Sequence, residues 1–162
     1  MKTVRERPHR LDPAKYRGEV TAAFTVCVRA HSQAFLSHTV VRPMVECLSA
    51  MSAAHRCYVP IYCFMPDHLH VMLAGIDERA DLLEAMYQFK HRSAMWMVRT
   101  KQPFRWQKDF YDHIIRASED WRAHATYISL DPVRAGIAED PFDYPFTGSI
   151  GTDLQEVILG WW

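Results

Sequence analysis

The stretch YVPIYCFMPDHLHVMLAG, residues 58–75, constrains the fold more than any other part of the chain. Two runs rich in β-branched, aromatic and other apolar residues flank Pro66-Asp67, so the runs read as strands and the pair as the turn of an antiparallel hairpin. Strand side chains alternate between faces. His68 and His70 therefore project together from one face, while Leu69 enters the packing on the other.

The remaining elements follow from periodicity. GEVTAAFTVCVRA, residues 18–30, reads as a first strand. Val41, Met44, Val45, Leu48 and Met51 recur at helical spacing and predict a helix over 38–55; Leu82, Leu83, Met86, Phe89, Trp96 and Met97 predict another over 80–100, stopped by Pro103. FRWQKDFYDHIIR reads as a loop entering a short strand. Ser118 is the expected N-cap of a third helix, with Glu119 and Asp120 in its first turn. That helix carries WRAHATYISL and ends near Asp131, because the residue before Pro132 is pushed out of helical geometry and Gly136 follows. The order strand, helix, hairpin, helix, strand, helix predicts an α+β fold, an antiparallel sheet with helices packed on one face. Its other face is left partly open for a ligand.

No repeat, low-complexity stretch or Gly/Ser linker divides the chain, so a single domain over 1–162 is expected. Apolar runs fall far short of a membrane span, and the basic, polar start MKTVRERPHRLDP has no apolar stretch behind it. The expectation is a cytoplasmic protein. Cys27, Cys47, Cys57 and Cys63 lie without a Cys-x-x-Cys pair and read as thiols in a reducing compartment.

Formal net charge is zero, but its distribution is uneven. No Asp or Glu falls between Ala85 and Lys108, where Lys90, Arg92, Arg99, Lys101, Arg105 and Lys108 all lie. Such a stripe suits a phosphate backbone or, equally, a solvated helix face. Trp106 among these cations is a candidate for stacking on DNA bases, whereas Trp96 falls on the apolar stripe of its helix and is expected in the core.

Imidazoles at i and i+2 on a strand can converge on one divalent ion, but two ligands hold a metal poorly. Tyr127 and Asp131 are four residues apart and share a helical face. Asp131 can supply the missing oxygen ligand, which suits Mg²⁺ or Mn²⁺, and the neighbouring phenol lies within reach of what the ion polarises. A phenol with an ordinary pKa of about 10 is a poor nucleophile unaided. Two imidazoles, a carboxylate and a phenol thus point to phosphoryl transfer.

FMPDHLHVMLAG resembles the His-hydrophobic-His motif of the single-tyrosine transposases. IIRASEDWRAHATYISLDPVRAGIAEDPFDYPFTGS resembles the REP-associated branch of that family, whose pattern is a helix ending Tyr-Ile-x-x-Asn-Pro-Val-(Arg/Lys)-x-Gly before an Asp-Tyr-Pro-(Trp/Phe)-Ser-like stretch. The likeness covers about 18–149, leaving an N-terminal arm at 1–17 and a C-terminal tail at 150–162. It implies a ferredoxin-like sheet of HUH endonuclease architecture, with Tyr127 as the nucleophile that takes the 5′ phosphate of a cleaved strand and His68 and His70 as metal ligands. Asp131 stands where the family usually has Asn or Gln as third ligand.

The implied partner is single-stranded DNA with hairpin-forming repeats, and both monomer and homodimer are open. Arg134 is expected either on DNA backbone or tying down its own turn, and His124 either orienting Tyr127 or exposed on its helix. Tyr111 and Tyr144 are competing nucleophiles without a carboxylate or amide four residues on. Two alternatives stand beside the transposase: a domesticated protein that binds DNA hairpins without cutting them, and a zinc enzyme unrelated to DNA.

Overall fold

The hairpin forms the centre of a five-stranded antiparallel sheet. β2 (Cys57–Met65) and β3 (His68–Gly75) pair across the Pro66-Asp67 turn, placing Phe64 opposite Leu69 and Cys63 opposite His70. β1 (Thr21–Cys27) joins β3 with Thr25 opposite His70, and β4 (Tyr111–Ile115) adds to β1. β5 (Thr147–Ile150) pairs with β2, giving the order β4-β1-β3-β2-β5. The computed structural model describes residues 10–160.

Residues directly opposite one another share a face. Val26, Leu69 and Phe64 therefore line one side of the sheet, and Thr25, His70 and Cys63 the other. On the Leu69 side, Phe64 packs edge-on against Phe35 at 5.1 Å between ring centres. Phe35 meets Trp106 at 5.3 Å, and Trp106 meets Phe89 at 6.0 Å. Phe89 belongs to α2 (Leu82–Arg99), which lies beside α1 (His38–Ala54), so the two long helices share this face as the sequence predicts. Both run within a residue or two of their expected spans. Asp81 caps α2, its carboxylate accepting the Glu84 N–H at 3.0 Å. The helix stops before Pro103 on a left-handed Lys101 (φ 56°).

The predicted third helix is two. α3 (Trp121–Ser129) is capped by Asp120, whose carboxylate accepts the Arg122 N–H at 3.0 Å, and not by Ser118. It gives way at Leu130 to the single turn α4 (Asp131–Arg134), which Pro132 opens. Leu130 N–H bonds to Thr126 C=O at 3.1 Å and Arg134 N–H to Leu130 C=O at 2.9 Å, so the helical path continues and Asp131 stays one turn beyond Tyr127.

Both ends of the described chain belong to the fold. Within the expected arm, Pro13–Tyr16 forms a 3-10 turn that buries Tyr16 completely, and the Tyr16 hydroxyl bonds Asp112 on β4. Arg10 pairs with the same carboxylate at 2.9 Å. Burial and the bond to this anion push the Tyr16 phenol up to about 12. The expected tail begins inside β5 and continues into α5 (Leu154–Leu159), whose Val157 is buried against β2 and α3. Residues 1–9 of the arm, and the closing Trp161 and Trp162, lie outside the described residues. At Gly75 any Cβ would overlap the Gly18 carbonyl, which is why a glycine ends β3. No helix among the described residues is long and apolar enough to cross a membrane.

Candidate active site

On the sheet face away from the long helices, the i, i+2 spacing brings the two imidazoles together, and α4 lowers Asp131 onto them. His68 Nε2 lies 3.2 Å from His70 Nε2 and 3.3 Å from Asp131 Oδ2, and His70 Nε2 lies 3.1 Å from the same oxygen. Ligands about 2.1 Å from a shared ion sit about 3.0 Å apart at right angles and about 3.4 Å apart at tetrahedral angles. The three separations fall inside that span. The donor set fits a divalent cation on geometry as well as on chemistry.

The outer nitrogens are occupied in a way that keeps the inner ones available. His68 Nδ1 lies 2.7 Å from Asp67 Oδ1, and His70 Nδ1 lies 3.0 Å from Thr25 Oγ1. An ionised carboxylate only accepts, so His68 donates Nδ1–H to Asp67, and it is Nε2 that gives up its proton to present a lone pair to the shared point when a metal binds. Asp67 and Thr25 are members of the site that the sequence reading missed.

Charge is concentrated here. Hydrogen bonds from His68 and then His70 hold the Asp131 carboxyl well below the usual range, against the opposing pull of burial. Burial works against the His68 imidazolium, but bonds to Asp131 and Asp67 outweigh it and raise its pKa above the ordinary value. A metal entering this site competes with that proton.

Tyr127, one turn before Asp131, is 65% exposed and so accessible to a macromolecular substrate. Arg134 connects the two. Its guanidinium carbon lies 3.8 Å from the centre of the Tyr127 ring, and one of its nitrogens lies 3.4 Å from Asp131 Oδ1. The cation thus neither ties down the turn through a carbonyl nor points away from the site. Tyr144 is buried, its hydroxyl donating to the Phe64 carbonyl at 2.6 Å, and its pKa is raised by that burial. Tyr111, opposite Thr25 on β4, stands on the imidazole face, two strands from His70. His124 directs Nε2 at Glu119 Oε2, 2.9 Å away.

The basic segment divides. Trp106 is 4% exposed, packs between Phe35 and Phe89, and donates its indole N–H to Ser93 Oγ at 2.8 Å, so the expected stacking surface is core instead. Lys90 extends its ammonium to the carbonyls of Gln107 at 2.7 Å and Lys108 at 2.5 Å, fixing the loop that follows α2. Arg105 bonds the Gln102 and Phe104 carbonyls at 2.6 and 2.7 Å. Arg92, Arg99, Lys101 and Lys108 are exposed, but α2 lies on the opposite side of the sheet from the imidazoles. Trp96 is half-buried against the core, in line with its apolar stripe.

The model of one protein family, the IS200-like transposases, matches residues 18–129. The chain belongs to this family. The matched span of this IS200-like transposase includes His68, His70 and Tyr127 and stops short of Asp131. A REP-associated tyrosine transposase of Escherichia coli K12 is 30% identical over 87 residues, 51% of this chain and 48% of that protein. A Haemophilus influenzae protein named for the same class is 29% identical over 108 residues, 59% of this chain and 60% of its own length. The chain therefore spans about half to three-fifths of the curated relatives it matches. The solved structure of a REP-associated tyrosine transposase bound to a REP hairpin superimposes with a TM-score of 0.72 at 22% identity, covering 88% of this chain and 82% of that one. The fold is shared.

Proposed function

We propose that this IS200-like chain is a metal-dependent single-strand DNA endonuclease and strand transferase, acting at hairpin-forming repeats through a covalent bond to Tyr127. The single observation that carries this reading is the convergence of His68, His70 and Asp131 within 3.3 Å of one another, with Tyr127 one turn away. The hairpin held by the similar solved structure supports the substrate class.

His68, His70 and Asp131 would hold Mg²⁺ or Mn²⁺, the imidazole pair favouring Mn²⁺. A divalent ion bound there supplies Lewis-acid polarisation of a phosphate oxygen. Tyr127 is the nucleophile: its oxygen bonds to phosphorus, the phosphorus–3′-oxygen bond breaks, the phenol gives up its proton, and the departing 3′ oxygen takes one up. The product is a 5′-phosphotyrosine and a free 3′ hydroxyl. Reversal with another 3′ hydroxyl rejoins a strand without an external energy source. Arg134, stacked on the ring and bonded to Asp131, links the phenol to the proposed ligand and would limit its movement. Close to the imidazoles the DNA contact falls to Arg134; Arg92, Arg99, Lys101 and Lys108 are left for a DNA segment that runs past the helical side of the sheet, and Trp106, Lys90 and Arg105 are engaged within the fold.

A labelled single strand carrying a hairpin, incubated with Mn²⁺ and run on a denaturing gel, tests the reading. A covalent adduct is expected with the wild type and with Tyr111→Phe, and none with Tyr127→Phe, which keeps hairpin binding. Hairpin binding without any adduct would replace the endonuclease with a binding protein on the same fold.

A further inference from the structure

A second group of metal-ligating side chains lies outside this site. His113 on β4 and His124 on α3 both direct Nε2 at the same carboxylate oxygen of Glu119, at 2.9 Å each. One donor atom from each of the three residues lies within 4.8 Å of the other two. The two rings stand 5.5 Å apart, inclined at 33°. His113 is opposite Ala23, two residues along β1 from Thr25, so it rises from the same sheet face as His70.

We infer that His113, Glu119 and His124 form a second site for a divalent ion of the Zn²⁺ or Co²⁺ class, bracing α3 against the sheet. Two imidazoles and one carboxylate repeat the donor set of the first site, and Zn²⁺, Co²⁺ and Ni²⁺ take such a set readily. The two imidazole–carboxylate separations of 2.9 Å widen by only a few tenths of an ångström to reach the roughly 3.0–3.4 Å edges of a coordination sphere, and the imidazole donors, within 4.8 Å of each other, form the third edge. The His113 and His124 side chains are 48% and 36% exposed, which leaves the rings room to adjust. The other Glu119 oxygen accepts the Arg116 N–H at 3.3 Å, which fixes the carboxylate between the rings.

The position gives the site its consequence. α3 lies on the imidazole face with its C-terminal end leading into Asp131, over β3, and its N-terminal end beside β4. A metal at His113, Glu119 and His124 joins the first turn of α3 to β4, three residues before Tyr127. The helix is then held at both ends, and the phenol lies between the anchors. Without metal the same three groups make two ordinary hydrogen bonds, from imidazole N–H to carboxylate, and that is the outcome that overturns the inference.

The test is a Zn²⁺ titration of the full chain by calorimetry, repeated with Co²⁺ to read the visible absorption of bound imidazoles. Two equivalents are expected in the wild type and one in His68→Ala/His70→Ala. The latter equivalent should disappear on adding Glu119→Gln and His124→Gln. In the His68→Ala/His70→Ala protein, Zn²⁺ should slow amide exchange across Trp121–Ser129 at least about tenfold. Should the double alanine variant fold poorly, the complementary His113→Gln/His124→Gln chain should bind one equivalent where the wild type binds two. A His68→Ala/His70→Ala chain that binds no Zn²⁺, or an equivalent in it that survives the Glu119 and His124 substitutions, overturns the site. Neither result depends on whether Tyr127 cuts DNA.

Discussion

Removing the Asp67 side chain should weaken metal binding although Asp67 touches no metal. Its carboxylate, 2.7 Å from His68 Nδ1, selects the tautomer that presents Nε2 to the site. Loss of such an outer partner costs about 10- to 100-fold in affinity, or about 1.4–2.7 kcal/mol. The Asp67 side chain is 33% exposed, and solvent screening places the expectation at the lower end, about 10- to 30-fold. The deficit should also depend on pH with a definite sign. Asp67 helps raise the His68 pKa, so in the wild type a proton competes with the metal more strongly as the pH falls. In Asp67→Ala that competition is weaker, and the gap between the two proteins should narrow as the pH falls from about 8.5 to about 6. Mn²⁺ titration read by electron paramagnetic resonance, in a His124→Gln background that silences the second cluster, measures both quantities. An affinity within twofold of the wild type at the alkaline end, or a gap that widens on acidification, would refute the reasoning.

Three further outcomes are expected. Trp106→Phe removes the bond to Ser93 and leaves unfilled space beside Phe35 and Phe89, costing about 2–3 kcal/mol and about 5–10 °C in Tm, with hairpin retention unchanged; loss of DNA binding in a protein of unchanged Tm would reverse the assignment of Trp106 to the core. Lys101→Gly relieves a positive φ at the end of α2 and should raise the urea midpoint by an amount equivalent to about 1 kcal/mol, while lowering the salt slope of hairpin binding by about 0.7. Glu119 is held down at about 2 by the His113 bond foremost, then by the Arg116 N–H, with His124 adding to them. Its folded pKa is depressed, so its contribution is present above about 4.5 and fades as the pH falls toward 2. The acid limb of a chemical-denaturation series should be shallower in Glu119→Gln.

The strength of a local pattern decided what the sequence revealed. The period-2 pair His68/His70 and the four-residue step from Tyr127 to Asp131 are geometric statements a strand and a helix must honour, and three of those four groups meet within hydrogen-bond distance. Thr25 could not be found this way, because its place beside His70 depends on the register of β1, which no local rule sets. Asp67 was hidden by its own sufficiency: an aspartate after Pro66 is fully explained as a turn residue. Ser118, Glu119 and Asp120 offer three consecutive capping oxygens, and the choice of Asp120 follows once Glu119 is drawn to His113, a residue on another element. Trp106 misled because aromatic and basic residues interleave identically in a DNA groove and in a loop tucked beneath a sheet. β5 was missed since TGSI is only four residues long and has Gly148 and Ser149 at its centre, a pattern that also reads as a turn.

β5 and the residues just before it have a protective task. β2 is buried on both faces along most of its length, and its outer edge is covered from this side: Val59, Tyr62 and Cys63 pair with Ile150, Gly148 and Thr147, Phe146 accepts the Phe64 N–H at 3.0 Å and Tyr144 reaches the Phe64 carbonyl. A nascent chain ending before that point would display a long, sticky and unpaired border to its neighbours. Synthesis of residues 144–150 thus marks the moment at which a growing copy ceases to be a template for others to stick to.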